Sequence, residues 1–206
     1  MKVIKANAFI EDKIDGSEII KKIEKIGRVC YKSENNITDD SAERFIKNII
    51  KNGHESVLEH VSITLRVICD RGVTHEIVRH RIAAYSQEST RYCNYSKDKF
   101  GNEITVIEPL FFEKGSLEYK IWEDTMKEIE KNYFKLIELG RTPQESRSIL
   151  PNSLKTEIVM TMNLREWRHF FKLRCSNKAH PQMREVALIM LKLLKDKIPV
   201  VFDDIN

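Results

Sequence analysis

The sequence predicts an α+β fold: a helix-rich single domain, residues 1–206, around a small, largely antiparallel sheet. Three observations predict it. Helical periodicity recurs in blocks rather than in strict alternation with strands, which argues against a doubly wound parallel sheet. Strand-like alternation appears in only three or four short stretches. The 206 residues suffice for one hydrophobic core, and no repeat, low-complexity run or Pro/Gly-rich linker divides them.

Residues 2–10 read as a strand. "SEIIKKIEKIG" sets Ile19, Ile20, Ile23 and Ile26 on one helical face, with Ser17 as the cap and Gly27 as the stop. "DDSAERFIKNIIKNG" does the same with Phe45, Ile46, Ile49 and Ile50 and ends at Gly53. "SITLRVIC" alternates Ile63, Leu65, Val67 and Cys69 with more polar positions, a strand pattern, and "EITVIEP" is a shorter strand closed by Pro109. The longest helix spans 116–139, with Ser116 as cap, Leu117, Ile121, Ile129 and Ile137 among its apolar positions, and Gly140 as the stop. Thr142-Pro143-Gln144-Glu145 is a capping box with proline at the first helical position. "LKTEIVMTM" alternates Leu154, Thr156, Ile158, Met160 and Met162 on one face of a strand. Asn163 then caps a helix with Trp167, Phe170 and Phe171 inward, and His180-Pro181 opens a last helix through Leu194.

Charge excludes one class of partner. Thirty-five Lys and Arg against 31 Asp and Glu leave a net charge of +4, too small a basic excess to expect a nucleic-acid binder. No apolar stretch approaches the roughly 20 residues that cross a bilayer, and the first residues lack a signal-peptide apolar core. No membrane partner and a cytoplasmic location are therefore expected. Cys30, Cys69, Cys93 and Cys175 are scattered, with no C-x-x-C pair, and read as reduced thiols with packing roles.

No metal is expected. "HEIVRH" is one residue too long for the zincin motif, so on a helix His75 and His80 point about 140° apart. His54 and His60 are six positions apart in a loop. Nor is there a Gly-rich phosphate loop. If the chain binds a nucleotide, side chains must hold the phosphate, and arginine suits that task through its planar, bidentate fork.

"RHRIAAYSQESTRY", residues 79–92, concentrates such donors. It uses arginine without lysine, and it sets polar groups beside an apolar run, as pocket linings do. Arg79 and Arg81 lie about 200° apart if the helix continues, so either the helix breaks or they serve different ligands or subunits. A solvated basic helix end is the plainer reading. Arg147 precedes "SILP", Arg165 opens a helix, and Arg174 falls on the apolar stripe of Trp167, Phe170 and Phe171. A buried arginine needs a partner, either an internal carboxylate such as Glu59 or a ligand anion.

"RHRIAAYSQES" is R-H-R, seven residues, then Ser89, and it resembles the signature of flavin-dependent thymidylate synthases. "GHESVLEH" (53–60), "RSILP" (147–151) and "NLREWRHFFKLR" (163–174) resemble further segments of that family in the same order. The resemblance implies methylation of dUMP to dTMP. It implies 5,10-methylenetetrahydrofolate as carbon donor, NADPH as reductant and bound FAD as mediator, in a homotetramer with active sites shared between subunits. By the same resemblance, Ser56, Arg79, His80, Arg81, Gln87, Asn163, Arg165 and His169 line the FAD site. Glu76, Arg79, Gln87, Glu88, Ser89, Thr90, Arg91, Arg147 and Arg174 bind dUMP, with Arg174 on the uracil ring. Some relatives carry Asn at position 169 and Gln at position 76. Lys178, where relatives carry His, and His180 receive no role.

Methylating uracil at C5 requires that carbon to be nucleophilic. A cysteine could add at C6, but no Pro-Cys dipeptide is present, and Cys93 has no activating base beside it in sequence. The other route favours the N3-deprotonated, anionic ring. Arginine cannot be the base, yet it can stabilise the anion, a role that falls to Arg174 as the catalytic residue. The competing classes are a non-enzymatic RNA- or nucleotide-binding module and a flavoenzyme with another substrate.

Overall fold

The computed structural model describes residues 1–206. Six strands and eight α-helices follow in the order β1 (Lys2–Ile4), β2 (Asn7–Ile10), α1 (Gly16–Val29), α2 (Ser41–Lys51), β3 (Ser62–Asp70), α3 (Arg71–Ile77), β4 (Ala84–Gln87), β5 (Thr105–Ile107), α4 (Leu117–Glu138), α5 (Pro143–Ser146), β6 (Lys155–Asn163), α6 (Leu164–Arg174), α7 (Pro181–Lys197) and α8 (Pro199–Phe202). One sheet has the order β2-β3-β6-β4, and β1 pairs with β5 in parallel, Lys2 opposite Thr105. The fold is α+β with mostly antiparallel strands, as the block pattern predicts. The chain groups into two compact units. The first comprises Met1–Asn7, Val67–Arg79 and Ser86–Ile158; the second comprises Ala8–Arg66, His80–Tyr85 and Val159–Asn206.

In the first unit, α4 packs Tyr119, Trp122, Met126 and Tyr133 on Tyr95, Ile104, Val106 and Leu154. This departs from the expected apolar face: Leu117 and Ile121 are 70% and 60% exposed. The aromatic rings bury more area per residue and so decide which side of the helix turns inward. Ser116 caps α4 as expected, accepting from the Tyr119 N–H. At its other end Gly140 has φ 84°, and Arg141 N donates to Leu136 O while Gly140 N donates to Ile137 O. That left-handed exit is what glycine allows without strain. The capping box of α5 forms as read, Thr142 and Glu145 bonding each other's backbone.

In the second unit two expectations about α1 change. Asp15, not Ser17, is the cap, its carboxylate accepting from Glu18 N. Gly27 does not end the helix; a Cβ there would lie 2.5 Å from the Phe45 ring. The glycine is a close-approach site where α2 crosses. The predicted strand over 2–10 is broken into β1 and β2.

Helix α6 begins directly from β6, capped by Asn163, whose side chain accepts from Glu166 N. Trp167, Phe170 and Phe171 are fully buried, with Phe202 against Phe171. The indole of Trp167 donates to Ile63 O at 3.0 Å. The buried arginine of this helix is Arg168, not Arg174. Arg168 is 1% exposed. Its Nε donates to Glu55 at 3.1 Å, its Nη1 and Nη2 to Asp204 at 2.6 and 2.7 Å, and its Nη1 also to Val201 O. Arg174 is the last residue of α6, where the apolar stripe runs out, and is only half-buried.

Replacing Arg168 by Met strands the Val201 carbonyl, takes the two-pronged guanidinium from Asp204 and leaves Glu55 with Lys172 at 3.5 Å. The expected loss is about 3 kcal/mol of unfolding free energy, measured by urea titration. A loss below about 1 kcal/mol would show that the ion pairs contribute no net stability.

Candidate functional site

The sequence-predicted residues form two groups, one in each unit. Helix α3 of the first unit has already ended at Ile77, so the R-H-R segment that follows lies in a turn and not on a helix. This break resolves the angular conflict between Arg79 and Arg81, both of which are exposed. Between them His80 points inward and is buried, packed on Phe170 with ring centroids 4.7 Å apart and edge-on to His169 at 5.7 Å.

Both ring nitrogens of His80 are engaged. Nδ1 lies 3.2 Å from Glu166 Oε1, and Nε2 accepts from Arg174 Nε at 3.1 Å. An arginine N–H only donates, so Nε2 must carry a lone pair, and the proton sits on Nδ1 facing the carboxylate. Tyr85 Oη donates to the main-chain carbonyl of His80 at 2.6 Å and fixes the residue from its other side. Burial, with the Arg174 charge added, holds the imidazole below its usual range; Glu166 opposes this and does not reverse it. The pair is therefore a hydrogen bond from a neutral ring and not an ion pair. Burial, then the Glu166 carboxylate, pushes the Tyr85 phenol up to about 12, so it stays a donor.

Ligating atoms of His80, Glu166 and His169 come within 4.8 Å of one another. Metal binding there would need an imidazole lone pair, and in His80 that pair is given to Arg174. The donor set fits a hydrogen-bond relay better than a metal centre.

Two cavities lie in the second unit, the first of them walled by Glu166 and His169 of this cluster. One, of about 550 Å³, is lined by Glu55, Glu59, Ile82, Asn163, Arg165, Glu166, His169 and Lys172. The other, of about 720 Å³, takes in Gly27, Tyr31, Phe45, His54, Ser56 and Arg165. Glu55 and Arg165 line both. Of the residues expected from sequence, Asn163, Arg165 and His169 line the first cavity, and Ser56 and Arg165 the second. Glu59 is not the partner of a buried Arg174; it is exposed and accepts from Arg165 Nη1 at 2.5 Å.

In the first unit the residues after β4 form a tied loop. Gln87 Nε2 donates to Thr74 and Thr156 at 3.1 and 3.3 Å. Glu88 accepts from Tyr95 Oη at 2.9 Å and Lys155 Nζ at 3.0 Å, while Arg71 Nη1 donates to its main-chain oxygen. Ser89 Oγ accepts from Arg91 N, and its carbonyl accepts from Tyr92 N and Cys93 N. Thr90 is buried. Arg91 Nε donates to Gln144 of α5 at 2.5 Å, which ties the loop to the segment that carries exposed Arg147 three residues on. Glu76 is half-buried on α3, and its carbonyl accepts from Arg79 N. Four free cysteines remain; burial pushes the thiols of Cys69, Cys93 and Cys175 upward, away from the thiolate a nucleophile needs.

Sequence reading missed Glu166, Tyr85, Glu55, Lys172 and Lys155. Glu166 was visible only as the fourth residue of an N-cap pattern, and no spacing rule joins it to a histidine 86 positions earlier.

The lowered pKa of His80 has a stability consequence with a definite sign. Above about 6.5, the ordinary value, folded and unfolded chains both keep the ring neutral and the contribution is full. As pH falls from there toward the lowered folded value, the unfolded chain takes up the proton first and stability drops. Unfolding midpoints measured across this window should fall on the acid side, and His80→Gln should flatten that part of the curve.

A model of the family described as thymidylate synthase complementing protein matches residues 14–200. The flavin-dependent thymidylate synthase of Geobacter sulfurreducens is 35% identical over 184 residues, 86% of this chain and 78% of that protein. That of Pyrococcus furiosus is 39% identical over 167 residues, 81% of this chain and 68% of the relative. Pyrococcus horikoshii has one 42% identical over 157 residues, 76% and 64%. The crystal structure of the UMP/dUMP methylase PolB from Streptomyces cacaoi, bound with 5-Br dUMP, shares the fold with a TM-score of 0.79 at 20% identity, over 98% of this chain and 96% of that one. With the R-H-R-x7-S segment, the later arginine segments and these relatives in agreement, the chain belongs to the flavin-dependent thymidylate synthase family.

Proposed function

We propose that the protein methylates dUMP to dTMP, with 5,10-methylenetetrahydrofolate as carbon donor, NADPH as reductant and FAD bound. The observation that carries this reading is the Arg174–His80 bond. It orients a permanently charged donor by means of a neutral acceptor, and so without spending the charge on that bond. A guanidinium held in this way suits a uracil ring that must become anionic to react at C5. The alternative, cysteine addition at C6, has little support from thiols that burial keeps protonated.

Arg174 would sit on the uracil ring, stabilising its anion. Glu76, Arg79, Gln87, Glu88, Ser89, Thr90, Arg91 and Arg147 would hold the rest of dUMP. Of these, Arg91 and Arg147 are the exposed cations best suited to the phosphate. Gln87 and Glu88 are already bonded within their unit, so they would shape the loop and offer backbone groups to the nucleotide.

The residues present also fit a flavin dinucleotide. Cavities of about 550 and 720 Å³ lie in the range of ligand sites. Ser56, Asn163, Arg165 and His169 on their walls, with exposed Arg81 next to the wall residue Ile82, supply the donors a diphosphate needs. Arg165 can reach such a ligand at small cost, because its pair with Glu59 is half-exposed on both sides. Bound FAD would supply the redox chemistry that no side chain has. A homotetramer with shared sites belongs to the same reading, and exposed Leu110, Phe111, Leu117 and Ile121 offer apolar surface for subunit contacts.

The purified protein should be yellow and should form dTMP from dUMP only when the folate and NADPH are both supplied. Arg174→Ala should lower turnover by roughly 10²- to 10³-fold with the flavin retained; near-normal dTMP formation by that variant would sink its assignment. Arg165→Ala should weaken flavin retention about tenfold or more, read by flavin fluorescence in the filtrate after dilution.

A further inference from the structure

We propose that Glu166 is a positioning residue for Arg174, acting through His80. The inference rests on the reading above, in which Arg174 faces the pyrimidine. Its geometric basis is a chain of two bonds, Glu166 Oε1 to His80 Nδ1 at 3.2 Å and His80 Nε2 to Arg174 Nε at 3.1 Å.

Each bond constrains the next. A neutral imidazole has one N–H and one lone pair, and which nitrogen carries the proton is set by what the other nitrogen meets. A carboxylate only accepts, so Glu166 holds the proton on Nδ1. Nε2 is then an acceptor, and it aims the guanidinium through Nε. If the proton moved to Nε2, two N–H groups would confront each other and Arg174 would turn away. Glu166 thus reaches Arg174 without touching it, although both lie on α6 eight residues apart.

The surroundings support one tautomer. The His80 side chain is 3% exposed and that of Glu166 10%, so water competes little for either bond. Phe170 lies against the ring, and Tyr85 fixes its main chain. The charged or titratable groups facing the ring are Glu166, Arg174 and His169 on α6. Two of these, Arg174 and His169, disfavour a second proton, and burial disfavours it more, which keeps the ring neutral and the relay intact at neutral pH.

The test uses the full chain as purified with its flavin, labelled with ¹⁵N-histidine, the His80 signals being identified by their loss in His80→Gln. The ¹⁵N shifts should report Nδ1 protonated and Nε2 bare. In Glu166→Leu, which has no acceptor, the Nε2-protonated form should appear and kcat should fall about 10- to 100-fold with KM for dUMP little changed. Glu166→Asp, which keeps a carboxylate, should recover both the tautomer and part of kcat. A wild-type ring protonated on Nε2 would overturn the proposal, and so would Glu166→Leu with kcat within twofold of wild type. If the wild type makes no dTMP, the reading of function fails instead, and the tautomer in wild type and Glu166→Leu still decides the relay.

Discussion

The second unit is organised around one buried cation. Arg168 binds Glu55, Asp204 and the Val201 carbonyl from the middle of α6. These partners come from the 3-10 turn at Glu55–His60 and from the chain at and beyond α8. An unpaired guanidinium in that position would be prohibitive, so the three segments have to meet there together. Every other placement follows. With Arg168, Trp167 and Phe171 buried, the remaining arc of α6 presents Glu166, His169 and Lys172 to a cavity and Arg174 to His80. Glu55, held by Arg168, becomes the wall shared by both cavities.

Arginines 168 and 174 show opposite uses of the same side chain. Arg168 meets carboxylates directly, which neutralises it and makes it structural. Arg174 donates to an imidazole, a neutral acceptor that fixes its direction. Glu166 lies on the far side of the ring, against Nδ1. A guanidinium held toward a developing anion stabilises it more strongly where water is excluded than in solvent.

What was legible in the sequence was local. The capping box at Thr142–Glu145, the Asn163 cap and the alternation along β6 all appear as read, because each depends on residues within one turn or one strand. Gly27 shows where locality fails: the same residue stops a helix or admits a neighbouring ring, and only Phe45 distinguishes the two. The stripe through Trp167, Phe170 and Phe171 was right, but it did not say which flanking arginine would be buried. That was decided by Asp204, 36 positions later. The relay through Glu166 and His80 was invisible for the same reason, although its histidine stood inside the most conspicuous motif of the chain.

The motif itself changes meaning once its turns are known. Arg79 and Arg81 are exposed while His80 is buried, so the three residues alternate as an extended turn does and not as a helix would. Ser89, which follows Arg81 after seven intervening residues, has its hydroxyl accepting from the Arg91 N–H. That is a turn-forming bond, which a short hydroxyl side chain makes within its own loop. With its carbonyl accepting from Tyr92 and Cys93, Ser89 shapes the segment that presents Arg91. The hydroxyl is spent as an acceptor in holding backbone. A serine nucleophile needs the reverse arrangement, with its proton donated to an adjacent base.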